Sequence, residues 1–198
     1  MWCVGCRAPE VALCAACAAT AEPLAATLAG IPLRAAGTYE GSLREAILAV
    51  KRGERGCLDP LAALLAPLVL EGTAIVPVRT TRRRAAQRGF DQAVELARRV
   101  AAARGGWVDD VLRKDGAAQR GRSRSDRFDA VGRFRIRPGA AVPSVALVLD
   151  DVLTTGATLR DAIATLTATG CWVRGAVVVA RTPPGRETSR RAPRLVTA

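Results

Sequence analysis

Three groups of residues in this 198-residue chain have the types and spacing to do chemistry. The first is a carboxylate pair, Asp150 and Asp151, placed between the apolar run VALVL and the segment VLTTGATLRDA. Carboxylates accept hydrogen bonds from vicinal diols, and with phosphates they share hydrated magnesium. Directly beyond, Thr154, Thr155, Gly156, Ala157 and Thr158 supply hydroxyls, small side chains and one glycine where a helical pattern begins. The unpaired N–H groups and the dipole of a helix start favour an anion. A diol partner beside a phosphate partner implies one small ligand, a ribose 5-phosphate. The alternative is a helix start capped by Thr154 or Thr155, with both acids merely solvated.

The second group is the run RTTRRRAAQRGF, which follows the apolar stretch TAIVPV and offers Arg79, Arg82, Arg83, Arg84 and Arg88. Basic residues directly after a buried strand lie on the carboxyl edge of a parallel sheet, where ligands of open α/β folds bind. They are candidates for pyrophosphate or nucleic-acid contact, and a solvated arginine loop is the plain alternative. The charge is concentrated here. Residues 79–137 hold 17 of the 30 basic side chains and seven of the 18 acidic ones, which accounts for ten of the net twelve positive charges. Such a field favours phosphate-rich partners. Histidine is absent, so acid–base chemistry near neutral pH falls to carboxylates, substrate or metal-bound water.

The third group is Cys3, Cys6, Cys14 and Cys17, two CxxC pairs separated by seven residues. Each pair can present two thiolates from one turn, and two turns complete a tetrahedral zinc site. A redox dithiol is the alternative reading. Cys57 and Cys171 stand alone and read as buried thiols. Arg7 and VALCAACAATA loosely imitate a secretory signal, but Glu10 interrupts it and the cysteine spacing accounts for the segment better. Unpaired cysteines predict a reducing cytoplasm. No uncharged apolar stretch approaches the ~20 residues needed to cross a bilayer.

The elements that must position these groups follow from pattern. Short apolar runs at residues 33–39, 73–78, 107–113, 134–137, 145–150 and 172–180 predict strands. Helices are expected at residues 42–52, with Ser42 and Glu45 as a capping box, and from Asp59-Pro60 to a break at Pro67. Two more are expected from an Asp91 cap to about residue 104 and over residues 159–168. Residues 21–32 read as a connector and residues 114–132 as a long basic loop of the kind that forms lids or is disordered. The whole predicts an α/β protein with a Rossmann-like parallel sheet. A zinc knuckle over residues 1–22 precedes the main domain over 33–180, and a flexible basic tail over 181–198 follows.

The run from Leu147 to Thr158 resembles the phosphoribosyl pyrophosphate signature of type I phosphoribosyltransferases. That resemblance implies that Asp150 and Asp151 hold the ribose hydroxyls and that the loop from Thr154 through Thr158 holds the 5′-phosphate, with magnesium. The order of four cysteines, YEGSLREAILAVKRG, VPVRTTRRRAAQRGFDQAVELA and the acidic motif resembles the ComF family, phosphoribosyltransferase-like proteins linked to DNA uptake. Asp91 and Asp129 stand where that pattern has asparagine. The resemblance implies a protein that binds phosphoribosyl pyrophosphate or a ribose 5-phosphate ligand and transfers the phosphoribosyl group. Its alternative is an accessory protein for single-stranded DNA, with a helicase-like partner at the zinc knuckle.

Overall fold

The computed structural model describes residues 1–114 and 133–183. The core is a six-stranded mixed sheet in the order β1-β2-β8-β7-β3-β4: Leu24–Leu28, Ile31–Thr38, Trp172–Arg181, Val145–Leu153, Ala74–Pro77 and Trp107–Val108. Only β1 runs antiparallel to its neighbour; the other four pairings are parallel. After the short α1 (Ala15–Ala18) of the cysteine segment, helices α2 (Gly41–Lys51), α3 (Leu58–Leu65) and α5 (Gln92–Ala103) cover one face, and α6 (Ala157–Thr167) covers the other. The central strands are therefore buried on both sides. Along β8, Val177 and Val179 pack toward the three-helix face while Ala176 and Val178 pack toward α6, which is why the strand reads as an unbroken apolar run.

The chain order creates a switch point. From β3 the chain passes through α5 on one face to β4, outward on one side; from β7 it passes through α6 on the opposite face to β8, outward on the other. The crevice at the carboxyl ends of β3 and β7 is the place where ligands of open parallel sheets bind. It is also asymmetric. β3 leaves the sheet at Pro77, paired with Leu149, whereas β7 continues alongside β8 to Leu153. The acids thus do not end the strand, as the sequence pattern predicts, but lie on a stretch that β8 still pairs and β3 no longer does.

Other expectations are corrected. Residues 21–32 contain β1, joined to β2 by Ala29-Gly30 with φ of 52° and 77°. Two positive φ values make the tight hairpin turn that asparagine or glycine usually signals, and alanine in the first position hides it. The arginine run is not a loop but helix α4 (Arg82–Arg88), capped by Thr81 and ended by Gly89 in the left-handed region at φ 77°. The strand expected at 107–113 is divided into β4 and β5 (Leu112–Lys114), and β5 forms a separate antiparallel ribbon with β6 (Phe134–Ile136). Ser42 does not cap α2; its hydroxyl donates to the Cys17 carbonyl at 2.8 Å, while Glu40 stands at the cap without a side-chain bond. Asp91 caps α5 as expected, and Pro67 falls in the 3₁₀ turn that ends α3. Of the expected lid, only Lys114 lies among the described residues; Asp129 and nearly all of the tail lie outside them.

Among the described residues no helix is long and apolar enough to cross a membrane.

Candidate functional site

β7 carries Asp150 and Asp151 into a solvent-open cavity at the switch point. Lys51, Arg79, Arg84, Arg88 and Lys114 line it together with both acids, and so do Thr154, Gly156 and Thr158. Eight of the residues singled out in the sequence meet there, Arg79 of the loop after β3 among them. Thr155 and Ala157 lie in the same turn but do not line the cavity. Of the remaining arginines, Arg82 lines a neighbouring cavity and Arg83 lines neither.

The two carboxylates are not equivalent. Asp151 Oδ2 pairs with Lys51 Nζ at 3.0 Å and accepts a short hydrogen bond from Gln92 Nε2, and Gln92 Oε1 in turn accepts from Arg88 at 2.7 Å. Asp151 is thereby fixed by α2 and α5. Asp150 makes no salt bridge among the described residues. Burial holds its carboxyl well above the usual carboxylate range, and the adjacent Asp151 charge raises it further. Burial also pushes the Lys114 ammonium below its ordinary value, opposed by the charge of Asp150. The charged form of each group favours that of the other.

Arg79 is held from two sides. Its Nε lies 3.5 Å from Asp91 Oδ2, and its Nη1 donates to Asp110 at 3.0 Å. Asp91 does more than cap: Oδ1 accepts from the Ala93 N–H, and Oδ2 accepts from the Thr80 N–H at 3.1 Å. An acid at this position is therefore fully used.

The turn into α6 differs from those into α4 and α5. Gly156 is the cap residue, at φ 77°, and no side chain caps the helix. Neither Thr154 nor Thr155 plays the capping role that the plain alternative assigned; the Thr155 hydroxyl accepts only a long contact, 3.4 Å, from the Ala157 N–H. The helix start consequently keeps N–H groups for an anion. Gly156 itself answers to packing as much as to ligand approach. A Cβ there would sit 2.8 Å from Leu28 of β1.

Lys51, Gln92 and Lys114 are functional candidates that sequence reading missed. One signal was available: the chain has 28 arginines and only two lysines, and both lysines line this cavity. A lysine offers a compact charge on a flexible stem that arginine's planar fork does not reproduce.

A second centre lies at the amino terminus. The Sγ atoms of Cys3, Cys6, Cys14 and Cys17 lie within 4.8 Å of one another, and Cys6 and Cys14 sulfurs are 3.6 Å apart. A tetrahedral ion at about 2.3 Å from each sulfur would set them about 3.8 Å apart, so the group can hold a metal such as zinc. Backbone N–H groups of Cys6 and Cys14 draw the Cys3 thiol down to about 6, whereas the neighbouring thiols of Cys14 and Cys6 push Cys17 up to about 12. Cys57 and Cys171 are buried, as expected, and burial pushes Cys57 up to about 11.

A scan against protein-family models finds no match for this chain, and a search of curated proteins likewise returns none.

Proposed function

We propose that the chain is a phosphoribosyltransferase-like protein whose switch-point cavity binds phosphoribosyl pyrophosphate, or a ribose 5-phosphate ligand, with magnesium. The observation that carries this reading is one cavity holding a carboxylate pair, five cations and an uncapped helix start within reach of one small ligand. The mostly parallel sheet with helices on both faces suits the fold of type I phosphoribosyltransferases. In this reading the α6 turn takes the 5′-phosphate and the acids take the ribose hydroxyls. Arg84, Arg88 and Lys51, which line the same cavity, would take the pyrophosphate, and Arg79, fixed by Asp91 and Asp110, would present its charge without reorganising.

The donor set also fits a divalent cation: both acids offer oxygen ligands, and the charged form of Asp150, which its surroundings disfavour, has no salt bridge among the described residues to offset it. Magnesium bound there would neutralise charge on the departing pyrophosphate oxygens. The protein's own residues would orient the ribose and hold the leaving group.

A single-strand DNA-binding role would use Arg82 and Arg83, which are exposed on α4. It gains no stacking platform from Phe90, which is buried beneath the Arg55 guanidinium at 4.4 Å from the ring; Phe128, the aromatic of the basic loop expected at residues 114–132, lies outside the described residues. Calorimetry on the full chain with phosphoribosyl pyrophosphate and magnesium, beside a short single strand, separates the two. Binding of the sugar phosphate supports the transferase-like reading. Binding of the strand alone, falling steeply with salt, supports the other.

A further inference from the structure

Large apolar side chains that stay exposed gather at two places among the described residues. Met1, Trp2 and Val11 belong to the cysteine segment, whereas Leu70, Trp107, Val145 and Trp172 lie at or just before the amino ends of parallel strands. That edge is opposite the ligand cavity. Trp107 pairs with Ala74 and Val145 with Trp172, so four adjacent strands begin along it. Its two tryptophans are 54% and 64% exposed, in a chain that has only three. A tryptophan in water forgoes the burial that usually stabilises it, and contiguous exposed apolar surface rimmed by polar groups marks a binding surface.

Two hollows are cut into this edge, of about 440 and 190 Å³, and they share Thr73 and Arg174. The smaller has an aliphatic wall of Pro32, Leu68, Leu70 and Leu147, with Arg34 and Arg174 both on its lining. Arg174 reaches it through a backbone irregularity. Ala146 pairs with Val173 and Leu147 with Gly175, so Arg174 is the extra residue of a bulge, the device by which strands re-aim a side chain. Both arginines are exposed, and neither forms an ion pair among the described residues. A second copy of a chain of net charge +12 would bring like charges together. A nucleic-acid strand would carry its phosphates past Glu71 and Asp109, which line the larger hollow, and has no aliphatic group for the smaller. A peptide can place acids and apolar groups separately. We propose that this edge docks an acidic segment of a partner protein. A large aliphatic or aromatic side chain enters the smaller hollow, carboxylates beside it pair with Arg34 and Arg174, and Trp107 and Trp172 supply flanking apolar contact. The partner leaves the ligand cavity open, because Asp150 and Asp151 lie toward the other end of the strands.

The probes are peptides selected from a displayed random library on the immobilised full chain, then synthesised with a fluorescent label and titrated by anisotropy. Selected sequences are expected to carry Asp or Glu beside a leucine, phenylalanine or tryptophan. Arg34→Gln and Arg174→Gln together are expected to weaken their binding about tenfold or more. Arg44→Gln with Arg98→Gln removes the same charge from exposed positions on α2 and α5 and should change affinity by less than about twofold. Equal losses in the two double variants would reduce the effect to the general basic field and overturn the proposal, as would a selection in which no peptide depends on Arg34 and Arg174. A labelled oligothymidine bound by the parent and released by Trp107→Ser with Trp172→Ser would assign the edge to single-stranded nucleic acid instead. Self-association of the parent in sedimentation, abolished by the same pair, would assign it to a second copy. Either result overturns the acidic segment.

Discussion

Lys51 Nζ, in the last turn of α2, lies 3.0 Å from Asp151 Oδ2 near the carboxyl end of β7. This pair ties the helix that follows the cysteine segment to the acid strand of the cavity. Asp151 is only 15% exposed, so removing its cationic partner leaves a largely buried charge supported only by the neutral donors Gln92 and the Val152 N–H. Lys51→Met is expected to weaken binding of phosphoribosyl pyrophosphate about tenfold, with Lys51→Arg intermediate. Titration calorimetry checks this, and equal affinities in all three proteins would refute it.

The cysteine centre should carry one zinc per chain, measurable by elemental analysis of freshly reduced protein. Cys3 and Leu13 belong to the same apolar core as α2 and α3, and Cys17 is tied to Ser42 at 2.8 Å. Chelation is therefore expected to lower the melting temperature of the whole unit in a single transition, rather than unfold the segment alone. Because zinc must displace the proton of a thiol raised to about 12, metal affinity should fall as pH falls. Metal-free protein with unchanged melting would contradict this account.

Asp150 should make stability depend on pH in an unusual direction. Its carboxyl is raised in the folded chain, so the unfolded chain loses this proton first. The stabilisation is present below the ordinary carboxylate value of 3.8 and is lost as pH rises from there through the raised folded value. Asp150→Asn is expected to be more stable than the parent at neutral pH and to flatten the profile. Urea unfolding across acid to neutral pH reads this directly, and a variant less stable at neutral pH would count against the assigned burial.

Gly156→Val is expected to destabilise the protein by about 1–3 kcal/mol even without ligand, since a side chain at φ 77° is strained and meets Leu28 at 2.8 Å. Denaturant midpoints test it. A variant of parental stability that loses only ligand affinity would show that the glycine serves the anion and not the packing.

The sequence made the sheet legible because its central strands are apolar on both faces and its acids, threonines and cysteines are close in the chain. Partners distant in sequence were not. Nothing in the neighbourhood of Lys51 or Gln92 announces Asp151, since their meeting depends on how α2 and α5 pack on one face of the sheet. Hairpin β1–β2 was hidden because LAATL has little strand preference and its turn uses Ala29 where asparagine would signal it. The arginine helix was hidden by its charge: a run so basic reads as solvated, although Thr81 and Gly89 mark both its ends. The same limit applies to Ser42, which satisfies the pattern of a capping box and yet bonds Cys17, 25 positions away in the chain.

The central claim is that Asp150 and Asp151 act with the α6 turn on a ribose 5-phosphate moiety. It is tested most directly by calorimetry of phosphoribosyl pyrophosphate, with magnesium, into the parent and into the doubly substituted Asp150→Asn, Asp151→Asn protein, each first shown to be folded. The account predicts measurable binding to the parent and a loss of about 1–3 kcal/mol or more in the variant, the range for losing charged hydrogen bonds. No binding to the folded parent at about millimolar ligand, or equal binding to both proteins, would contradict it.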